Sequence, residues 1–238
     1  MHIVILGDSW GEPNWRGPLY NDGHSPGFTA RGHTAPRLEQ LGHIVYNYSE
    51  SGRSNMNTWL RLKVRPPPRA DVAIWFHTEI ARDIAQDHRP GSLVKTLNHT
   101  ADWVYSRCAQ IQTLHLEGVP LIVIEGQSRL HQPQFDRYFN RDQCPHASGY
   151  TLIPDWRAEL LGQGQLPYTP LLVMLMAGGE ILKDFTDDLE AKSQWITDTE
   201  YLADLMKQSP MFPDNCHPGD LAHEQLVERL IKLFPAER

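Results

Sequence analysis

The chain has 238 residues, a mass of 27.2 kDa, 40% hydrophobic residues and a formal charge of −7. This size and composition suit a globular protein with a hydrophobic core, and they exclude a disordered chain, a collagen and a coiled coil. The acidic balance and the lack of a long run of Lys or Arg argue against nucleic acid or an anionic membrane as partner.

Five apolar runs predict strands, and helical patterns separate most of them. The predicted strands are His2–Leu6, Ile44–Tyr48, Val72–Phe76, Leu121–Glu125 and Leu171–Met176. The predicted helices are Thr34–Leu41, one beginning near Asn55, Leu93–Glu117, Leu182–Met206 and Leu221–Phe234, the last with Asp220 at its N-cap. Strands that alternate with helices favour a parallel sheet covered by helices on both faces.

Two stretches, 11–31 and 130–170, show neither a strand pattern nor a helix pattern, and they are rich in turn-forming and aromatic residues. We expect both to be irregular insertions, the second with one short helix around Asp155–Leu161. Because the strand and helix pattern resumes after each of them, the sequence predicts one domain over 1–238.

The cysteines and the apolar segments bear on compartment and cofactors. Three cysteines are too few and too scattered for a disulfide framework, and no His spacing is typical of a metal site. No segment reaches eighteen apolar residues, and the run at 3–6 is too short for a secretory signal. We therefore expect a cytoplasmic protein with no membrane contact and no metal ion.

The first predicted strand leads directly into Gly7-Asp8-Ser9-Trp10-Gly11. Ligands of open parallel sheets bind at the carboxyl ends of the strands, which is where Ser9 would lie. A glycine turn with a helix-capping serine is an equally simple interpretation. A phosphate-binding turn over Gly7–Gly11 is a further alternative, although neither common phosphate-binding glycine motif is present.

A second polar group lies just before the last predicted helix, where Asp214 precedes His217 by three residues. A serine hydroxyl becomes a good nucleophile only when a base takes its proton and an acceptor holds that base in the right tautomer. Asp214 and His217 could supply both groups to a serine elsewhere in the fold. A solvated loop is the alternative for the pair taken alone.

These two motifs together resemble those of the SGNH (GDSL-like) hydrolases, and the resemblance spans nearly the whole chain. It implies a flavodoxin-like three-layer α/β/α fold around a five-stranded, mainly parallel sheet, and hydrolysis of esters without a cofactor. It also implies that Ser9 is the nucleophile, His217 the base and Asp214 the orienting acid. Asp8 would then be structural.

The resemblance further implies an oxyanion hole formed by backbone N–H groups of Ser9 and Gly52. Gly52 follows the second strand and could instead be an ordinary turn glycine. The family motif after strand three normally contains Asn as a third donor, whereas this chain has His77-Thr78-Glu79. Thr78 aligns with that Asn and could donate one hydrogen bond. Nearby Arg82 and Asp83 could pair structurally or reach the substrate.

The sequence therefore predicts a serine esterase that acts on a small-molecule or carbohydrate ester with a short acyl group, such as acetyl on a sugar. The main alternative is a non-catalytic binding or structural relative, because the third motif is altered. A nucleotide or phosphate binder is a lesser alternative. The oligomeric state stays open.

Overall fold

The computed structural model describes residues 1–12, 33–84, 93–126, 129–145, 147–164, 201–202, 204–213 and 217–235. The strands are β1 His2–Leu6, β2 Ile44–Asn47, β3 Val72–His77, β4 Leu121–Glu125 and β5 Tyr150–Ile153. The helices are α1 Thr34–Gln40, α2 Asn55–Val64, α3 Ala81–Ile84, α4 Leu93–His115, α5 Gln132–Phe139, α6 Trp156–Leu160 and α7 Asp220–Leu233. Residues 201–202 and 204–208 are also helical.

The five strands form one sheet in the order β2-β1-β3-β4-β5, and all four pairings are parallel. This is the flavodoxin-like order, so the predicted parallel sheet is confirmed. His2 pairs in register with Ile44, and Ile3 with Val72, which aligns the carboxyl ends of the central strands. The loops that follow these strands therefore meet at one edge of the sheet.

Alternating side chains of the strands build two separate cores, one on each face of the sheet. Val4 and Leu6 of β1 contact the core formed with α2, α4 and α5. Ile3 and Ile5 contact the core formed with α1, α6 and α7. Because successive side chains of a strand point to opposite faces, a continuous apolar run implies a sheet covered on both sides. The predicted three-layer α/β/α architecture is confirmed.

The fifth strand that the structure describes does not correspond to any of the predicted strands. Tyr150–Ile153 forms β5 within the stretch predicted to be irregular, and α5 lies in the same stretch, so the prediction for 130–170 is wrong in part. This edge strand has only four residues, and the sequence on either side of it has no regular pattern that would single it out. The predicted strand Leu171–Met176 and most of the insertion at 11–31 lie outside the described residues.

The helix predictions are largely confirmed, with shifted ends. The helix around Asp155–Leu161 occupies Trp156–Leu160. At the last helix Gly219 takes the N-cap position and Asp220 is the first helical residue, which corrects the prediction by one position. No helix within the described ranges is both long and apolar enough to cross a membrane. Of the predicted helix Leu182–Met206, only the end is described.

Candidate active site

The turn after β1 carries Ser9 to the carboxyl edge of the sheet. A Cβ on Gly7 would lie 2.7 Å from Phe76 Cβ and 3.0 Å from Phe76 O, so only glycine fits where the chain leaves β1 beside β3. The Asp8 side chain then closes the turn, because Trp10 N–H donates to its Oδ1 at 3.0 Å. The backbone N–H of Gly11 donates to Asp8 O at 3.1 Å.

The structure brings Ser9 and His217 together from opposite ends of the chain. Ser9 Oγ lies 3.0 Å from His217 Nε2, across a separation of 208 residues. Ser9 is 3% exposed and His217 is 6% exposed. The loop that presents His217 is fixed before α7 by Gly219 N–H, which donates to Met211 O at 2.7 Å. The 3.0 Å between Ser9 Oγ and His217 Nε2 is the distance expected for a nucleophile and its general base.

Asp214, the predicted orienting acid, lies outside the described residues. Its role therefore stays a prediction.

Gly52 lies in the loop after β2, and two hydrogen bonds hold this loop against the nucleophile turn. Glu50 N–H donates to Gly7 O at 3.3 Å, and Ser51 N–H donates to the Glu12 carboxylate at 3.0 Å. Gly52 has a φ of +73°, and a Cβ there would meet no atom of the described residues within 4 Å. The glycine is thus required by its left-handed backbone rather than by a close approach.

No described residue accepts a hydrogen bond from the backbone N–H of Ser9 or of Gly52. Three N–H groups of the turn Gly7–Gly11 do have acceptors, since Gly7 N–H donates to Thr58 Oγ1 at 3.0 Å and both Trp10 N–H and Gly11 N–H donate to Asp8. A phosphate-binding turn needs several free N–H groups, so this arrangement disfavours the phosphate alternative.

Thr78 has a different partner from the one predicted. Its hydroxyl donates to Asp8 Oδ2 at 3.0 Å, and a threonine hydroxyl has only one proton to give. The side chain of Asn55 holds the Thr78 peptide on both sides, accepting from Thr78 N at 3.1 Å and donating to Thr78 O at 2.8 Å. Thr78 is 1% exposed. As arranged, its hydroxyl is not a third oxyanion donor.

The structure also decides what the residues after β3 do. Arg82 pairs with Asp8, its Nη1 lying 3.3 Å from Asp8 Oδ2. Asp83 accepts a hydrogen bond from Met56 N at 3.2 Å, at the beginning of α2. Burial raises the pKa of Asp83 to about 6. Arg82 therefore lies against the nucleophile turn, and Asp83 against the N-terminus of α2.

His77 points away from the nucleophile turn, because its Nε2 lies 2.9 Å from the hydroxyl of Tyr105 on α4. Sequence reasoning did not identify Asn55, whose only signal was its position just after Ser54 at the start of a helix. Within the described ranges, no three His, Cys, Asp or Glu side chains lie close enough together to bind a metal ion.

No protein-family model and no curated protein matches the chain. Among solved structures it is similar to the psychrotrophic esterase EstA from Pseudoalteromonas sp., with 11% identity over 97% of this chain and 94% of that chain, and a TM-score of 0.44. It is also similar to the lipase/acylhydrolase from Enterococcus faecalis, with 15% identity over 100% of this chain and 98% of that chain, and a TM-score of 0.38. These likenesses are distant, so the fold rests on the strand order and the site on the Ser9–His217 geometry.

Proposed function

We propose that this protein is a serine esterase that hydrolyses carboxylic esters through an acyl-enzyme. The observation that carries the proposal is the 3.0 Å contact between Ser9 Oγ and His217 Nε2, two buried groups at the carboxyl edge of a parallel sheet. A serine hydroxyl paired with an imidazole in such a place is the arrangement that activates a nucleophile. The resemblance of the motifs around both residues supports the same chemistry.

In the proposed reaction, His217 Nε2 takes the proton of Ser9 as Oγ attacks the ester carbonyl. Negative charge then develops on the carbonyl oxygen, where the N–H groups of Ser9 and Gly52 would stabilise it. His217 returns the proton to the departing alkoxide, which leaves an acyl group on Ser9. Water, deprotonated by His217, attacks this acyl group, and His217 returns the proton to Ser9 Oγ as the acid is released. Asp214 would hold the other ring nitrogen of His217.

The test compares Ser9→Ala with Ser49→Ala, since Ser49 is a second buried serine whose Oγ has no partner among the described residues. We expect Ser9→Ala to abolish hydrolysis of p-nitrophenyl acetate and labelling by a fluorophosphonate probe, while Ser49→Ala keeps both. Circular dichroism checks that both variants fold. Equal hydrolysis by Ser9→Ala and the wild type would refute the proposal.

We further propose a short acyl group, because Ser9 is only 3% exposed and a small group reaches it most easily. The carbohydrate part of the substrate rests on the resemblance alone, since Phe135, Phe139 and Trp156 of the second predicted insertion pack in the two cores. Rates for acetyl, butyryl and octanoyl esters, and acetate release from an acetylated oligosaccharide, test these two points separately.

A non-catalytic binding protein with the same fold is the second candidate. The observation that favours it is the engagement of the Thr78 hydroxyl by Asp8, which leaves two N–H donors where the family motif supplies three. Loss of one such donor lowers kcat by about 100- to 1000-fold. Wild-type protein that neither hydrolyses esters nor reacts with the fluorophosphonate would favour this candidate.

A further inference from the structure

Asp8 is a buried carboxylate directly before the proposed nucleophile. It is 1% exposed and accepts hydrogen bonds from Trp10 N–H and from the Thr78 hydroxyl, both at 3.0 Å. These two donors are neutral, so they leave the negative charge of Asp8 in place. Arg82 supplies the opposite charge, with Nη1 at 3.3 Å from Asp8 Oδ2.

This ion pair lies where charge matters most for ester hydrolysis. Attack by Ser9, the residue after Asp8, creates a negative charge on the carbonyl oxygen of the ester. A second negative charge, largely shielded from water, would oppose that development because screening is weak in a buried site. The side chain of Arg82 is itself only 12% exposed, so its charge is also held close to Asp8 rather than dispersed in solvent.

Arg82 also lies between the two loops that would form the oxyanion hole. The same Nη1 that contacts Asp8 in the nucleophile turn lies 3.5 Å from the carbonyl oxygen of Arg53, the residue after Gly52. Arg82 is brought there by the short helix α3, which follows β3 directly. Arg82 therefore belongs to the same segment at the end of β3 as His77-Thr78-Glu79, where the family motif normally has its Asn.

We propose that Arg82 is a positioning residue that neutralises Asp8, so that negative charge can develop beside Ser9. It thereby offsets part of the effect of the missing third oxyanion donor. This role rests on the proposed esterase function. It differs from a purely structural ion pair, because it acts on the charged transition state and not on the binding of the neutral ester.

Four variants test this role. Arg82→Gln removes the charge, Arg82→Lys keeps it, and Asp8→Asn/Arg82→Gln removes both charges. Arg69→Gln is the control, since Arg69 pairs with Asp71 at the opposite end of β3, 2.9 Å away. The measurements are melting temperature, kcat and KM with p-nitrophenyl acetate, and the Ki of an alkyl boronic acid.

The boronic acid reports on charge at the site itself. Ser9 Oγ forms a bond to boron while its proton passes to His217, which leaves a tetrahedral boronate with one negative charge. We expect Arg82→Gln to lower kcat by about 10- to 100-fold and to raise the boronate Ki by a similar factor, with little change in KM. Arg82→Lys and the double variant should recover most of both losses, and Arg69→Gln should match the wild type.

Three results would overturn the role of Arg82. The first is full kcat in Arg82→Gln. The second is a loss of kcat together with a rise in KM that, across the variants, simply tracks the loss of melting temperature. The third is a double variant that melts like the wild type but remains as slow as Arg82→Gln. In each case wild-type hydrolysis and labelling of Ser9 would leave the proposed esterase standing, whereas an inactive wild-type protein would overturn both.

Discussion

Asp83 gives the protein a pH-dependent stability that can be calculated from the structure. Its carboxyl group is 4% exposed, and Oδ2 has no hydrogen-bond partner among the described residues. Burial is the largest effect on this group and raises its pKa from 3.8 to about 6, even though Met56 N–H donates to Oδ1. The folded protein therefore binds a proton at Asp83 more tightly than the unfolded chain does.

The size and sign follow from proton linkage. A difference in pKa between 3.8 and about 6 corresponds to about 3 kcal/mol of the free energy of unfolding. The contribution is complete below pH 3.8, where both states are protonated, and is lost as the pH rises through 6. Asp83→Asn is neutral at every pH and keeps an oxygen for Met56 N–H. It should match the wild type near about pH 4 and be more stable by about 3 kcal/mol near about pH 7.5.

Urea unfolding of wild type and Asp83→Asn at several pH values measures this difference. Because all other titrating groups are common to the two proteins, their effects cancel in the comparison. Asp142→Asn is the control, since Asp142 is an exposed carboxylate in a turn. A difference between wild type and Asp83→Asn that stays constant with pH would refute the reasoning.

Two further predictions concern the core around the site. Burial holds the pKa of His223 well below its usual 6.5, so its contribution to stability should be complete above pH 6.5 and fall as the pH drops. On acidification, the melting temperature of His223→Gln should therefore fall less than that of the wild type or of the control His99→Gln. In Gly126→Ala the new Cβ would lie 2.8 Å from Trp10 Cε3, in a buried ring that cannot move away, and urea unfolding should show a loss of about 1–3 kcal/mol. The control is Gly164→Ala, whose new Cβ meets no atom of the described residues within 4 Å. Equal stability of the two alanine variants would contradict the packing argument.

The main elements of the fold could be predicted because their signals are local. The apolar runs that became β1, β3 and β4 are buried along almost their whole length, so their apolar residues are continuous and easy to recognise. β2 is an edge strand with no buried residue, but Ile44, Val45 and Tyr46 still indicate a strand. β5, an edge strand of the same length, was missed because its four residues lie within a long stretch with no regular pattern. The end of α1 near Gly42 and the start of α2 near Asn55 were likewise encoded by neighbouring residues.

The candidate site likewise combines features with a local sequence signal and features that depend on tertiary contacts. A serine in a glycine turn after β1 and a histidine before the last helix could be predicted, since both features depend on residues close in the chain. That these two side chains meet at 3.0 Å could not, because the contact depends on how strands far apart in sequence pair in one sheet. The structure alone also assigned the hydroxyl of Thr78 and the charge of Arg82 to Asp8. Hydrogen bonds and ion pairs between separate loops follow from three-dimensional packing, which short sequence motifs do not record.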